Sequence, residues 1–227
     1  MPSKEEIYRK QRLGIRRIGF GKKPAIIVID MQYDFVDPKS PSTCYPMSKE
    51  IIPNIEKLLK KARAKKVPIF YTQGLVHPSL VDVGLWKSLA HMEGKVQVEG
   101  TRGAGIVKEL QPKRQDFLIK KRRPSAFFQT DLDVFLKGAG VDTVILTGTS
   151  MSGCVRATAT DSFMRDYRTM IVRECVADRV QDVLENNLFD LNAKYCDAVT
   201  LKETLTYLDT LQAGPSPDQF ILSRSPR

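Results

Sequence analysis

The sequence predicts an α/β fold: a parallel β-sheet sandwiched between layers of helices. Three observations carry that reading. Six short runs are rich in β-branched residues and apolar on both faces, the pattern of strands covered from both sides. Segments of helical period lie between them. The two kinds alternate along the chain, as strand–helix–strand units with right-handed crossovers do.

Residues 1–22 are polar and basic and read as an arm or helix lying on the body or on a neighbouring subunit. The first strand is Lys23-Pro24-Ala25-Ile26-Ile27-Val28-Ile29, closed by Asp30. A helical segment over 51–66 leads to the second run, Val67-Pro68-Ile69-Phe70-Tyr71-Thr72. The stretch 74–105 contains several glycines and no clean period, so it reads as a long loop or lid, the natural seat of substrate specificity. The third run, Asp116-Phe117-Leu118-Ile119, is the shortest. A helix over 132–139 closes on Gly138 and Gly140 and precedes the clearest run, 141–148. A helix over 155–166 follows Gly153; the fifth run is 168–173. Val183, Leu184, Leu188 and Leu191 mark one face of a helix over 181–195, and the sixth run is 196–201. The tail after Ala213, with Pro215, Pro217 and Pro226, reads as extended. The expected division is an arm over 1–22, one domain over 23–205 and a tail over 206–227.

A chain of 227 residues suits one α/β domain, and 42% hydrophobic residues exclude global disorder. No apolar run approaches the roughly 20 residues of a membrane helix. The N-terminus lacks the apolar core of a secretory signal, so a cytoplasmic, reducing location is expected. The net charge of +10 attracts anions of any size. Its basic residues are scattered over 9–17, 57–66, 113–123 and Arg224 and Arg227, with no interleaved aromatics and no helix-turn-helix pattern, so nucleic acid is not the expected partner. Cys44, Cys154, Cys175 and Cys196 form no CxxC pair and have no nearby histidine, which argues against a zinc knuckle. The only histidines, His77 and His91, sit in no recognisable catalytic setting.

In open α/β sheets ligands bind beyond the carboxyl ends of the strands. Asp30 ends the first strand there, as a functional carboxylate or a turn residue. Cys154 follows the fourth through Gly148-Thr149-Ser150-Met151-Ser152-Gly153 and opens a helix, where backbone N–H groups and the helix dipole favour thiolate. The same N–H groups suit an oxyanion hole. Cys175 and Cys196 lie in strand-like runs and read as core; Cys44 reads as a loop thiol. Lysine follows the third strand in Lys120-Lys121-Arg122-Arg123, and spacing alone does not choose between Lys120 and Lys121.

Four segments together resemble the isochorismatase-like cysteine hydrolases: 25–32 (Ala25 to Gln32), Lys121-Arg122-Arg123-Pro124-Ser125-Ala126-Phe127, Ser152-Gly153-Cys154-Val155-Arg156-Ala157-Thr158-Ala159, and Ala177-Asp178-Arg179. The resemblance spans about 20–205, in the family's order. Within the family, the segment around Cys154 is similar to the N-carbamoylsarcosine and maleamate amidohydrolases. The resemblance implies a three-layer, Rossmann-like α/β/α fold with a six-stranded parallel sheet, assembled as a homodimer or homotetramer. It selects Lys121, since the family's lysine lies four residues before the serine of Ser-Ala-Phe, and it implies an Asp30, Lys121, Cys154 triad. It implies that Arg179 binds a substrate carboxylate through its guanidinium fork, the alternative being an ion pair with Asp178 or Asp182. Ser150 is a further expected substrate contact. The family's cis peptide bond is expected between Ser150 and Met151, with Met151 replacing a small polar residue and lending its N–H, with that of Cys154, to the oxyanion hole. Tyr33, Phe35, Trp86 and Phe127 are candidate pocket walls, or ordinary packing residues.

The implied reaction is cleavage of an amide or carbamoyl carbon–nitrogen bond in a small carboxylate-bearing substrate, through a thioester, with release of ammonia. The nicotinamidase branch carries an Asp-x-His metal motif after its catalytic Asp; no matching cluster occurs here, so neither metal nor cofactor is expected. The rivals are vinyl ether hydrolysis of the isochorismatase type, against which Cys154 argues because that reaction proceeds without a cysteine, and a non-enzymatic thiol sensor.

Overall fold

The computed structural model describes residues 2–88 and 96–212. His91 and the expected extended tail, with Arg224 and Arg227, lie outside the described residues.

The chain opens with helix α1 (Lys4–Lys10), capped reciprocally by Ser3 and Glu6. Strand β1 (Pro24–Ile29) is followed by two single-turn helices, α2 (Tyr33–Val36) and α3 (Met47–Glu50), then by α4 (Ile52–Ala64) and β2 (Ile69–Gly74). β3 (Phe117–Lys121), α5 (Leu132–Gly138) and β4 (Thr143–Thr149) come next. A five-residue turn of π-helical geometry, Met151–Val155, runs into α6 (Arg156–Phe163). β5 (Arg168–Ala177), α7 (Gln181–Lys194), β6 (Asp197–Val199) and α8 (Leu201–Thr210) complete the body.

The six strands form one sheet in the order β3-β2-β1-β4-β5-β6, and every pairing is parallel. β1 sits at the centre because it can afford no wet face: Ala25 through Ile29 are all fully buried. Its residues alternate between two cores. Ile26 and Val28 join Ile55, Leu58 and Leu59 of α4 and Leu208 of α8 on one side. Ala25, Ile27 and Ile29 join Leu132 and Leu136 of α5 and Leu184, Leu188 and Leu191 of α7 on the other. This is the three-layer architecture expected from the sequence.

Several boundaries differ: β3 runs on to Lys121, past the expected end at Ile119, and three others bear on the site or the core. β5 continues past 173 to Ala177, because exposed Arg173 and Glu174 interrupt the apolar run and the strand resumes after them. The helix expected from 155 is preceded by the Met151–Val155 turn, closed by a bond from the Val155 N–H to the Ser150 carbonyl. The final helix crosses the boundary expected at 205: α8 reaches Thr210, and Leu208 is wholly inside the core. The arm folds back on its own body: Tyr8 packs on Phe189 of α7 at 4.9 Å between ring centroids, and Asp197 accepts the N–H groups of Ile18 and Gly19.

From β1 the sheet extends one way through β2 to β3 and the other way through β4 to β6. The switch in direction lies between β1 and β4, where the connections leaving their carboxyl ends part and open a crevice. Asp30 leaves β1 there, and Cys154 follows β4.

Candidate active site

Asp30 turns out of β1 with φ +46, a left-handed conformation that Asp tolerates better than most residues. This bend is fixed from both flanks. Thr72 of β2 accepts the Asp30 N–H at 3.1 Å and donates its hydroxyl to Asp30 Oδ1 at 2.6 Å. Thr149 of β4 donates to the Asp30 carbonyl at 3.0 Å. Gly148, with φ +105, lets β4 approach β1 closely; a Cβ there would lie 2.0 Å from the Ile29 carbonyl oxygen.

Lys121 is the last residue of β3, and its side chain reaches across the end of β2 into the crevice. Its ammonium lies 2.7 Å from Asp30 Oδ2, 3.3 Å from Cys154 Sγ and 3.3 Å from the Arg123 carbonyl. Lys120, one residue earlier, points to the surface and pairs with Glu99 at 2.8 Å, so alternation along the strand resolves the choice that spacing left open. The loop after β3 is tied to α6 through Ser125, which donates to Asp161 at 2.5 Å, and Ala126, whose N–H meets Thr158 Oγ1 at 3.0 Å. The Ser-Ala-Phe and Ala-Thr matches are therefore a joint between β3 and the helix behind Cys154.

Asp30 is 0% exposed and Lys121 2%, so each charge is out of water and requires the other. Burial alone would lower the Lys121 pKa, but the facing Asp30 carboxylate and the Cys154 sulfur outweigh it and hold the ammonium above the ordinary lysine range. Cys154 runs opposite to expectation. Burial pushes its thiol up to about 12, Asp30 adds to the rise, and Lys121 offsets only part of it. These influences favour a thiol beside a carboxylate over a preformed thiolate.

A cavity of about 200 Å³ opens onto the sulfur. Its wall includes Cys154, Lys121, Ser150, Arg179, Phe35 and Trp86. Arg179 forms no ion pair with Asp178 or Asp182; its Nη2 donates to the Ser42 carbonyl at 2.9 Å. Of the four candidate wall aromatics, Phe35 and Trp86 line the cavity, while Tyr33 stacks under Arg102 and Phe127 under Arg165. Part of the expected lid contributes, through Leu75, Val76, Val83 and Gln97.

Two sequence expectations are corrected. The cis peptide bond joins Thr149 to Ser150, one residue earlier than expected between Ser150 and Met151. Met151 is 0% exposed and packs into the core, so its side chain replaces no substrate contact; Ser150 faces the cavity instead. Cys44 is in a loop as expected but wholly buried, which pushes its thiol up to about 12. Cys175 and Cys196 are core residues. Among the described residues no group of three or more His, Cys, Asp or Glu side chains is placed to hold a metal ion, and no helix is long and apolar enough to cross a membrane. Sequence reasoning missed Thr72 and Thr149, which hold Asp30; a threonine within or closing a buried strand, facing an acid, is the signal that marks them.

Comparison with known proteins shows what the chain is similar to. A family model described as the isochorismatase domain matches residues 24–203. The chain is 37% identical to N-carbamoylsarcosine amidase of Arthrobacter sp, over 86% of this chain and 75% of that one. It is 38% identical to maleamate amidohydrolase of Pseudomonas putida, over 85% of this chain and 90% of that one. A crystal structure of a cysteine hydrolase from Pseudomonas syringae pv. phaseolicola superposes with a TM-score of 0.78 at 25% identity, covering 83% of this chain and 93% of that one.

Proposed function

The chain belongs to the isochorismatase family of hydrolases, and from that premise we propose that it is a cysteine-dependent amidohydrolase of small carboxylate-bearing amides or carbamoyl compounds. One observation carries the proposal: a lysine ammonium lies within 2.7 Å of a buried carboxylate and 3.3 Å of a cavity-facing sulfur. The amidases among its relatives support the same reaction class.

In this mechanism Asp30 takes the Cys154 proton as the sulfur attacks the substrate carbonyl carbon, so thiolate forms only when its electrons are used. Lys121 stays protonated and stabilises the negative charge as it moves between Asp30 and the sulfur. The carbonyl oxygen becomes an oxyanion held by the N–H groups of Ser150 and Cys154; Ser150, which lines the cavity, takes the place first expected for Met151. Protonated Asp30 then gives its proton to the leaving nitrogen, the carbon–nitrogen bond breaks and ammonia departs. A water molecule, deprotonated by the same Asp30, attacks the thioester and releases the carboxylic acid and the thiol. Arg179 holds the substrate carboxylate away from the reacting carbon, because a guanidinium fork matches a carboxylate bidentately. A cavity of about 200 Å³ suits a substrate of this small class.

The test is ammonia release from a panel of small amides with and without a carboxylate. Carboxylated amides should be cleaved and neutral ones spared. Arg179→Ala should raise KM about 10- to 100-fold, the equivalent of losing a charge-assisted pair of hydrogen bonds. Equal cleavage of neutral amides, or an unchanged KM in the variant, would refute the anchor.

A further inference from the structure

We propose that Asp178 is a positioning residue that locks the turn bearing the nucleophile to the strand bearing the substrate anchor. The proposal rests on the reading of Cys154 as the nucleophile and goes beyond it. Asp178 is 2% exposed. Carboxylates that deep are usually paired with a cation, yet both of its oxygens are taken by backbone N–H groups. Oδ2 accepts from Ser152 at 2.6 Å, and Oδ1 accepts from Arg179 at 2.8 Å.

The two contacts lie on different elements. Ser152 is inside the Met151–Val155 turn, two residues before Cys154; Arg179 follows β5. The β4–β5 ladder pairs Thr149 with Ala177, so Asp178 sits opposite Ser150, where both strands leave the sheet. Two backbone bonds of the turn close it on itself: the N–H groups of Gly153 and Val155 both reach the Ser150 carbonyl. Those bonds shape the turn but do not place it. Asp178 ties it to the end of β5, through charge-assisted bonds that are roughly twice as strong as neutral ones.

The consequences for the two ends differ. Arg179 keeps a second hold, its guanidinium on the Ser42 carbonyl. The turn is also held by Met151 and Val155, which are buried in the core, but Asp178 is the partner that ties its backbone to the end of β5; without it Cys154 Sγ shifts relative to the Lys121 ammonium, now 3.3 Å distant, and the N–H groups meant for the oxyanion lose alignment. Loss of Asp178 therefore acts on turnover more than on substrate affinity.

Asp178→Asn keeps the shape and one acceptor oxygen, and Asp178→Glu keeps both oxygens one methylene further out. With maleamate as substrate, the Asn variant should lose about tenfold or more in kcat while KM changes less than about threefold, since placement within an ångström governs rate. Alkylation of Cys154 by iodoacetamide at pH 8, with no substrate present, should slow about fivefold or more, and Asp178→Glu should recover part of both losses. An Asn variant within about twofold of the parent in kcat and in alkylation rate, whatever its melting temperature, overturns the proposal. If the Asn variant does not fold, the Glu variant decides by the same two readouts: a kcat or alkylation rate lowered more than about twofold supports the proposal, and parental values for both overturn it. The alkylation readout needs no amide, so a parent enzyme that cleaves no amide counts against the amidase reading while this tie is still tested.

Discussion

At the scale of single residues, the surroundings of Cys154 favour the thiol over the thiolate. Burial and Asp30 push it up to about 12 against the pull of Lys121. Thiolate reactivity in the substrate-free enzyme should therefore climb steadily as pH rises from 7 to 10, without the plateau of a thiol that titrates near neutrality. Iodoacetamide alkylation followed across that range measures it; a plateau beginning below pH 8 would mean that Lys121 dominates and the thiolate is preformed. Residues were unequally legible in the sequence. Asp30 was visible because an acid closing a fully apolar strand stands out. Lys121 was legible only through the family resemblance, because by spacing alone four consecutive basic residues look alike until the pleat of β3 sends one inward and its neighbour out to Glu99. Phe127 and Tyr33 stayed open between pocket wall and ordinary packing for a similar reason: an aromatic residue outside a periodic run does not announce which face it covers.

At the scale of elements, the site depends on two strands leaving the sheet almost in contact. Gly148 permits this, since any Cβ there would press on the Ile29 carbonyl at 2.0 Å and its φ of +105 excludes ordinary side chains. Gly148→Ala should cost at least about 3 kcal/mol of stability, measured by denaturant unfolding, and should lower activity in the fraction that folds. A variant as stable as the parent would show that β4 can retreat without disturbing the crevice. The strands were the most legible elements, because buried parallel strands have the plain signature of continuous apolar runs. The cis bond, expected from the family resemblance between Ser150 and Met151, lies one residue earlier, and the stretch Gly148 to Gly153 has no period of its own to fix that register. α8 was missed although Thr200 and Glu203 form a capping box at its start, a signal outweighed by the strand-like run just before it.

At the scale of the whole molecule, the sheet order puts the carboxyl ends of β1, β3 and β4 around one crevice, and the fold encloses a charge pair there. Asp30 and Lys121 are both nearly or wholly out of water, so neither is tolerated alone. Lys121→Met, which leaves the Asp30 carboxylate unpaired, should destabilise the protein by about 3–5 kcal/mol at pH 7 as read by denaturant melts. Because the folded protein holds the lysine above its ordinary pKa, that contribution is complete at neutral pH and fades only as pH rises through the folded value. A variant unfolding at the parental denaturant concentration would mean that water or a shifted side chain already neutralises the pair. The family could be read from four short segments because each contributes to this one crevice or to the joints around it, whereas the pocket wall between β2 and β3 comes from residues with no period to read.

The central claim is that Cys154 becomes acylated during turnover. Intact-protein mass spectrometry after rapid acid quench, with a carboxylated amide in excess, tests it directly. The account predicts an added mass equal to substrate less ammonia, located on the peptide that contains Cys154 and absent from Cys154→Ala. Ammonia release by a parent enzyme whose Cys154 stays unmodified, with the alanine variant equally active, would contradict it.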